Sequence, residues 1–196
     1  MILDFYSLAT FMLPCILFFA VGRKRLNEMS HRTAYLVWAS IFAFYCFIAI
    51  VQVAGIGSVW DFIAYGRLYP YVNFKPFDSE GYMTYVLNVI MFMPLGFLLP
   101  FIWTGYRKLS KVALAGLGMS ILIELLQLFS LRATDIDDLT MNTLGSVIGF
   151  LIWAAADKLF FHGRSGVDGI TKNDAALVIL LGTVSTFLLY NWRIFY

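Results

Sequence analysis

Charged side chains are scarce in this chain. Asp, Glu, Lys and Arg make up 13% of its 196 residues against 61% hydrophobic ones, with a mean hydropathy of +0.79. So little polar surface cannot coat a water-soluble globule, so we read residues 1–196 as a single integral membrane domain. Neither sign of charge dominates. A formal net charge of +2, with the basic residues in short clusters rather than along one face, sets nucleic acid aside as a partner. Cysteine is nearly absent. Cys15 and Cys46 both lie inside apolar runs and show neither metal-ligand nor disulfide-framework spacing, so they read as small reduced hydrophobes. No internal repeat is visible either, which counts against a transporter built from two related halves.

What is present is a series of apolar segments. A bilayer core of about 30 Å takes about 20 residues of helix to cross. Six candidates can be marked, at 3–21, 33–55, 84–105, 112–131, 139–161 and 175–192, the last being the shortest. They predict an all-α, polytopic transmembrane bundle of about six spans. The first segment begins with Asp4 where a signal peptide would be basic and is followed by Arg23, Lys24 and Arg25, so it reads as a retained span. Ten of the 14 Lys and Arg residues fall in the connections before the second, fourth and sixth spans, and four fall on the alternate side. By the positive-inside rule, this predicts a multi-pass membrane protein with the N-terminus and the 131–142 loop outside.

Two spans carry helix-disturbing residues. Pro14 in the first is expected to free a carbonyl that a neighbouring helix satisfies. Pro94, Gly96 and Pro100 in the third predict a bent or broken helix. The long outer connection is dense in aromatics, from Trp60 to Tyr82, as suits a segment on the membrane interface. Within it, Ser58 and Asp61 resemble a capping box and Gly66 a C-terminal stop, predicting a short interfacial helix over Val59–Tyr65 and then an extended strip through Pro70 and Pro76. That strip is either an anchoring aromatic belt or a wall over a site.

The polar residues that a membrane protein would not place by accident gather between 120 and 149. Glu124 is the one ionisable residue expected inside the hydrocarbon, with Gln127 on the same helical face. A carboxyl there costs several kcal/mol unless it is neutral, paired or wetted, so a functional role competes with a structural hydrogen bond. Counting along the helices places Glu124 about 10 Å, and Asn88 and Asn142 roughly 6 Å, beneath the outer boundary. Arg132, Asp135, Asp137 and Asp138 close the top. Arg132 would also compensate a helix C-terminus, and Asp137 and Asp138 would accept from the free amides at the start of the next helix. The three aspartates are a candidate Mg²⁺ or Ca²⁺ site, although their spacing is not that of an EF-hand, and no other cofactor is indicated. Asn142, Gly145 and Gly149 share a face and allow close approach of the third or fourth span, or of a second copy in a homodimer.

The order of these motifs resembles the VanZ-like family of bacterial membrane proteins. The resemblance runs from Val72-Asn73-Phe74-Lys75-Pro76-Phe77 through Asn88, Phe92 and Pro94-Leu95-Gly96, then Glu124 and Gln127, to Arg132, Asp135, Asp137-Asp138, Asn142, Gly145 and Gly149. Phe74 departs from the leucine usual there. A family core over 72–153 is implied, with Asn73, Asn88, Glu124, Gln127, Arg132, Asp135, Asp137, Asp138 and Asn142 as its polar signature. For founding members the resemblance implies low-level resistance to teicoplanin-type glycopeptides.

Two functions are then open. In one, the polar residues bind membrane lipids, a lipid-linked cell-wall precursor or a lipoglycopeptide, with Asn73, Asn88, Gln127, Arg132 and Asn142 as contacts. In the other, a carboxylate-dependent enzyme acts on a lipid-linked substrate through Glu124, Asp135, Asp137 and Asp138. A Ser-His or Cys-His pair is not available to it, because His31 and His162 fall on the cytoplasmic side.

Overall fold

The computed structural model describes residues 2–68, 72–73, 81–130, 134–163, 166 and 169–195. Its core is a bundle of apolar helices. Five are long and apolar enough to cross a membrane: Ile2–Val21, Arg32–Val53, Tyr82–Ile102, Leu109–Ser130 and Ile136–Phe161. We label the α-helical bodies α1 (Ile2–Val21), α2 (Arg23–Glu28), α3 (Arg32–Phe47), α4 (Val59–Tyr65), α5 (Tyr82–Ile102), α6 (Leu109–Gln127), α7 (Ile136–Ala156) and α8 (Asp174–Leu189). The sixth candidate, α8, has 16 residues and is apolar but shorter than a full crossing.

The most extensive packing is between α5 and α7, with α6 laid against α7. A second pair, α1 with α8, is joined to the first by α3, which touches α1, α5 and α8. One face of α3 supplies core (Tyr35, Ala39, Phe42, Ala43, Cys46), while Val37, Ile41 and Phe44 point outward. Outward apolar side chains recur on the other spans, including Leu13, Leu17, Leu87, Ile90, Leu151 and Ile152. That pattern suits lipid and not water.

Glycine sets the spacing of α5 and α7. A Cβ on Gly149 would lie 2.0 Å from the Met93 carbonyl oxygen, one on Gly96 2.0 Å from that of Ser146, and one on Gly145 2.3 Å from that of Val89. The two backbones therefore touch. The close approach offered by Gly145 and Gly149 is made within the chain, to the third span.

Proline behaves in two ways. In α1, Pro14 frees the carbonyl of Thr10, four residues earlier, and Ser185 of α8 donates its hydroxyl to it. The expected break in α5 does not occur: the helix runs uninterrupted from Tyr82 to Ile102 with Pro94 and Pro100 inside it. Close backbone contact with α7 flanks Pro94, at Met93 and at Gly96.

The short interfacial helix α4 forms where the capping signals place it. Ser58 and Asp61 complete a reciprocal capping box, and Gly66 ends the helix with a left-handed φ of 64°. Trp60 Nε1 donates to the Leu188 carbonyl at 2.9 Å, and Trp192 Nε1 to Asp61 at 2.7 Å, which fastens α4 to the end of α8. The extended strip beyond it, with Lys75, Pro70 and Pro76, lies outside the described residues except for Val72 and Asn73. Those two pair in parallel, as strand β1 (Val72–Asn73), with strand β2 (Thr134–Asp135) in an otherwise helical protein.

Candidate functional site: a buried carboxylate cluster

The cluster is built where α6 ends and α7 begins. The α7 helix starts at Ile136, three residues before the apolar run, so residues 136–142 form its first two turns and not a loop. Asp135 is the residue that caps it, its carboxylate accepting from the Asp137 N–H at 2.9 Å. This corrects the expectation that Asp137 and Asp138 serve the free amides. With that task taken, both turn sideways to α5: Tyr85 donates its hydroxyl to Asp137 at 3.0 Å, and Asn88 donates its amide to Asp138.

Asp135 has two further roles. The strand pairing brings Asn73 alongside, and its amide donates to Asp135 Oδ2 at 3.0 Å. The Asp135 backbone N–H donates to Glu124 Oε2 at 3.3 Å. Asp138 also lies within hydrogen-bonding reach of the Glu124 carboxyl. Glu124, Asp135 and Asp137 are each at most 5% exposed. A buried acid without donors is costly, and each of these three has at least one, as has half-buried Asp138, with further contacts besides.

Beneath the acids runs a polar ladder between α6 and α7. Opposite Glu124 stands Asp138. One turn deeper, Asn142 donates its amide to the Ser120 hydroxyl at 2.9 Å, and one turn deeper again a Cβ on Gly116 would strike Ser146 Oγ at 2.2 Å. Each rung is four residues from the last on both antiparallel helices, as the helical repeat requires. The side-chain oxygen of Asn142, Oδ1, is buried and finds no donor among the described residues, while the Asn142 backbone carbonyl accepts from the Ser146 hydroxyl at 3.2 Å. Ser120, Ser146 and Tyr85 escaped the sequence reading. The first two carried a signal, since Ser120 precedes Glu124, and Ser146 follows Asn142, by four.

Gln127 is placed differently from the rest. Its amide donates to the Ala54 carbonyl at 2.7 Å, beside a Gly57 N–H to Leu126 carbonyl bond of 3.1 Å. It pins the connection after α3 to α6. Arg132 lies outside the described residues, so Asn73, Asn88, Glu124, Asp135, Asp137, Asp138 and Asn142 are the members of the expected set that the structure brings together. Among the described residues no three His, Cys, Asp or Glu converge in a way that would hold a metal ion. The aspartates face Asn73, Tyr85 and Asn88 separately. His31 precedes α3 and His162 follows α7, both at the other ends of the helices.

An apolar groove adjoins the cluster. It lies between α5 and α7, has a volume of about 360 Å³, and is lined by Tyr82, Tyr85, Val86, Val89, Ile90 and Met141. Tyr85 belongs to both: its ring forms groove wall and its hydroxyl holds Asp137.

Residues 56–161 match the sequence model of the VanZ/LLP1 family. Over 89 residues the chain is 34% identical to Protein VanZ of Enterococcus faecium, a stretch covering 44% of this chain and 55% of that protein. The matched region thus spans about half the length of this curated relative. No solved structure matches the chain. The family match extends beyond the 72–153 core on both sides, taking in α4 and the whole of α7.

Proposed function

Because the chain belongs to the VanZ/LLP1 family, we propose that the carboxylate cluster and its groove bind an amphipathic component of the bacterial cell envelope at the outer face of the plasma membrane. The observation that carries this reading is Tyr85, which joins an apolar groove with a set of hydrogen-bond acceptors. A ligand suited to both has an alkyl chain and a head rich in hydroxyl, amide or ammonium donors. Lipid-linked cell-wall precursors and teicoplanin-type lipoglycopeptides are of that kind, and holding either would support glycopeptide resistance. Acids accept such donors strongly, each charge-assisted bond being worth roughly 1.5–3 kcal/mol.

A second reading has its own support. Glu124 and Asp138 stand opposite each other where α6 meets α7, and two adjacent carboxyls are the groups that a carboxylate-dependent enzyme acting on a lipid-linked substrate would use for general acid and base.

Val86→Trp would fill the groove without touching an acid. Protein carried from bacterial membranes into nanodiscs is expected to bring an amphipathic species bearing a glycan or peptide head, seen by mass spectrometry near one per chain. The variant should retain at least tenfold less. Bulk phospholipid alone, at equal amounts in both proteins, would contradict binding. A chemically altered species appearing only with the active protein would favour the enzyme.

A further inference from the structure

Two adjoining cavities, opening at the opposite end of the bundle, share no lining residue with the carboxylate cluster. The larger, about 620 Å³, is a groove between α6 and α8, which meet only along a short stretch. Its walls are apolar: Leu114, Leu122 and Leu125 from α6, Ile179 and Leu180 from α8, with Gly118 as a notch between them. A Cβ on Gly118 would meet nothing within 4 Å. From Leu114 to Leu125 the groove runs about 16 Å along α6, which is half of a hydrocarbon core of about 30 Å. Its length is therefore comparable to the span of one acyl chain.

The groove ends at Lys111 and Lys172, which also line the second cavity, of about 410 Å³, together with Arg25, Thr171 and Trp103. Among the described residues, no Asp or Glu lines either cavity. Lys111 donates one proton to the Gly105 carbonyl at 2.8 Å, which leaves its other two for a ligand. Arg25 is 3.6 Å from Glu28 in an exposed pair of the kind worth little in water. Lys172 is held on a fixed turn, because buried Asp174 accepts from the Ile170 and Thr171 amides at 2.6 Å and from the Thr171 and Tyr35 hydroxyls. Trp103 is 4% exposed, and its indole N–H meets no acceptor at hydrogen-bonding geometry among the described residues.

We infer that these cavities form one binding site for an anionic phospholipid of the leaflet at the basic end. Its phosphate sits among Arg25, Lys111 and Lys172, and one acyl chain lies along the α6–α8 groove. The groove supplies the fit for the tail, and the cations supply discrimination against zwitterionic heads. The site is separate from the carboxylate cluster and stands whether or not that cluster binds a ligand.

The test uses the full chain in mild detergent and native mass spectrometry with phosphatidylglycerol or phosphatidylcholine of identical chains. Phosphatidylglycerol should be retained at least tenfold over phosphatidylcholine. Gly118→Leu, which plugs the groove and leaves every charge in place, should lower that retention tenfold, as should Lys111→Ala with Lys172→Ala. Removing equal charge from the same end outside the cavities, by Lys24→Ala with Lys158→Ala, should change it less than twofold. Excess glycerol phosphate should not displace the lipid. Full retention by Gly118→Leu, equal loss in the Lys24 and Lys158 control, or displacement by glycerol phosphate would each overturn the proposal.

Discussion

Gly149→Ala is expected to lower the melting temperature of the protein by about 6–12 °C and to cut the yield of monodisperse material. The added methyl would be 2.0 Å from the Met93 oxygen, 2.9 Å from its carbonyl carbon and 3.0 Å from Gly96 Cα. All three are backbone atoms of α5, so no side chain can swing aside. Helices α5 and α7 must part. Overpacking costs typically about 1–3 kcal/mol, more when backbone is struck. We take about 3 kcal/mol, at roughly 2–4 °C per kcal/mol for a chain of this size. Gly118→Ala is the matched control. With open space around it, this change should be neutral or slightly stabilising through helix propensity. Equal stability of Gly149→Ala and the parent would mean that the α5–α7 contact is looser than described.

Glu124→Gln should separate function from fold. The glutamine oxygen can still accept from the Asp135 N–H, and its amide can donate to Asp138, so thermal stability should shift by only a few degrees. What disappears is the ability of the side chain to ionise. Loss of one charge-assisted bond to a donor-rich ligand corresponds to roughly a 10- to 150-fold weaker complex. Glycopeptide tolerance conferred by the protein should fall with it. Glu124→Leu would differ, because it strands a buried backbone N–H at a cost of about 1–3 kcal/mol and should show as instability. A Gln variant that binds and protects as well as the parent would remove Glu124 from the site.

Local features were the readable ones. The capping box of Ser58 and Asp61, the stop at Gly66 and the carbonyl freed by Pro14 each depend on a few adjacent residues and were found as such. So were the glycines of α7, because their spacing by itself states that a helix comes close. Asn73 is the contrary case. It reaches Asp135 through a two-residue parallel pairing across a separation of 62 residues, and two residues carry no periodicity. The aspartates gather at the start of α7, but Asp137 and Asp138 turn to Tyr85 and Asn88 rather than to the free amides. Three acids at a helix start compete for one capping role, and only the start at Ile136 decides that Asp135 takes it. Gln127 shows the limit of arguing from a shared face: it lies near Glu124 on the helix yet spends its amide on Ala54.

The central claim is that the carboxylate cluster lies at the outer surface and the basic turns lie at the inner one. It is tested most directly by accessibility in intact cells. Both native cysteines are buried, so a single introduced thiol can be read against a low background. A membrane-impermeant maleimide is expected to label Ile136→Cys without permeabilisation, and Lys24→Cys only after it. Labelling in the reverse order would put the cluster on the cytosolic face and contradict the account.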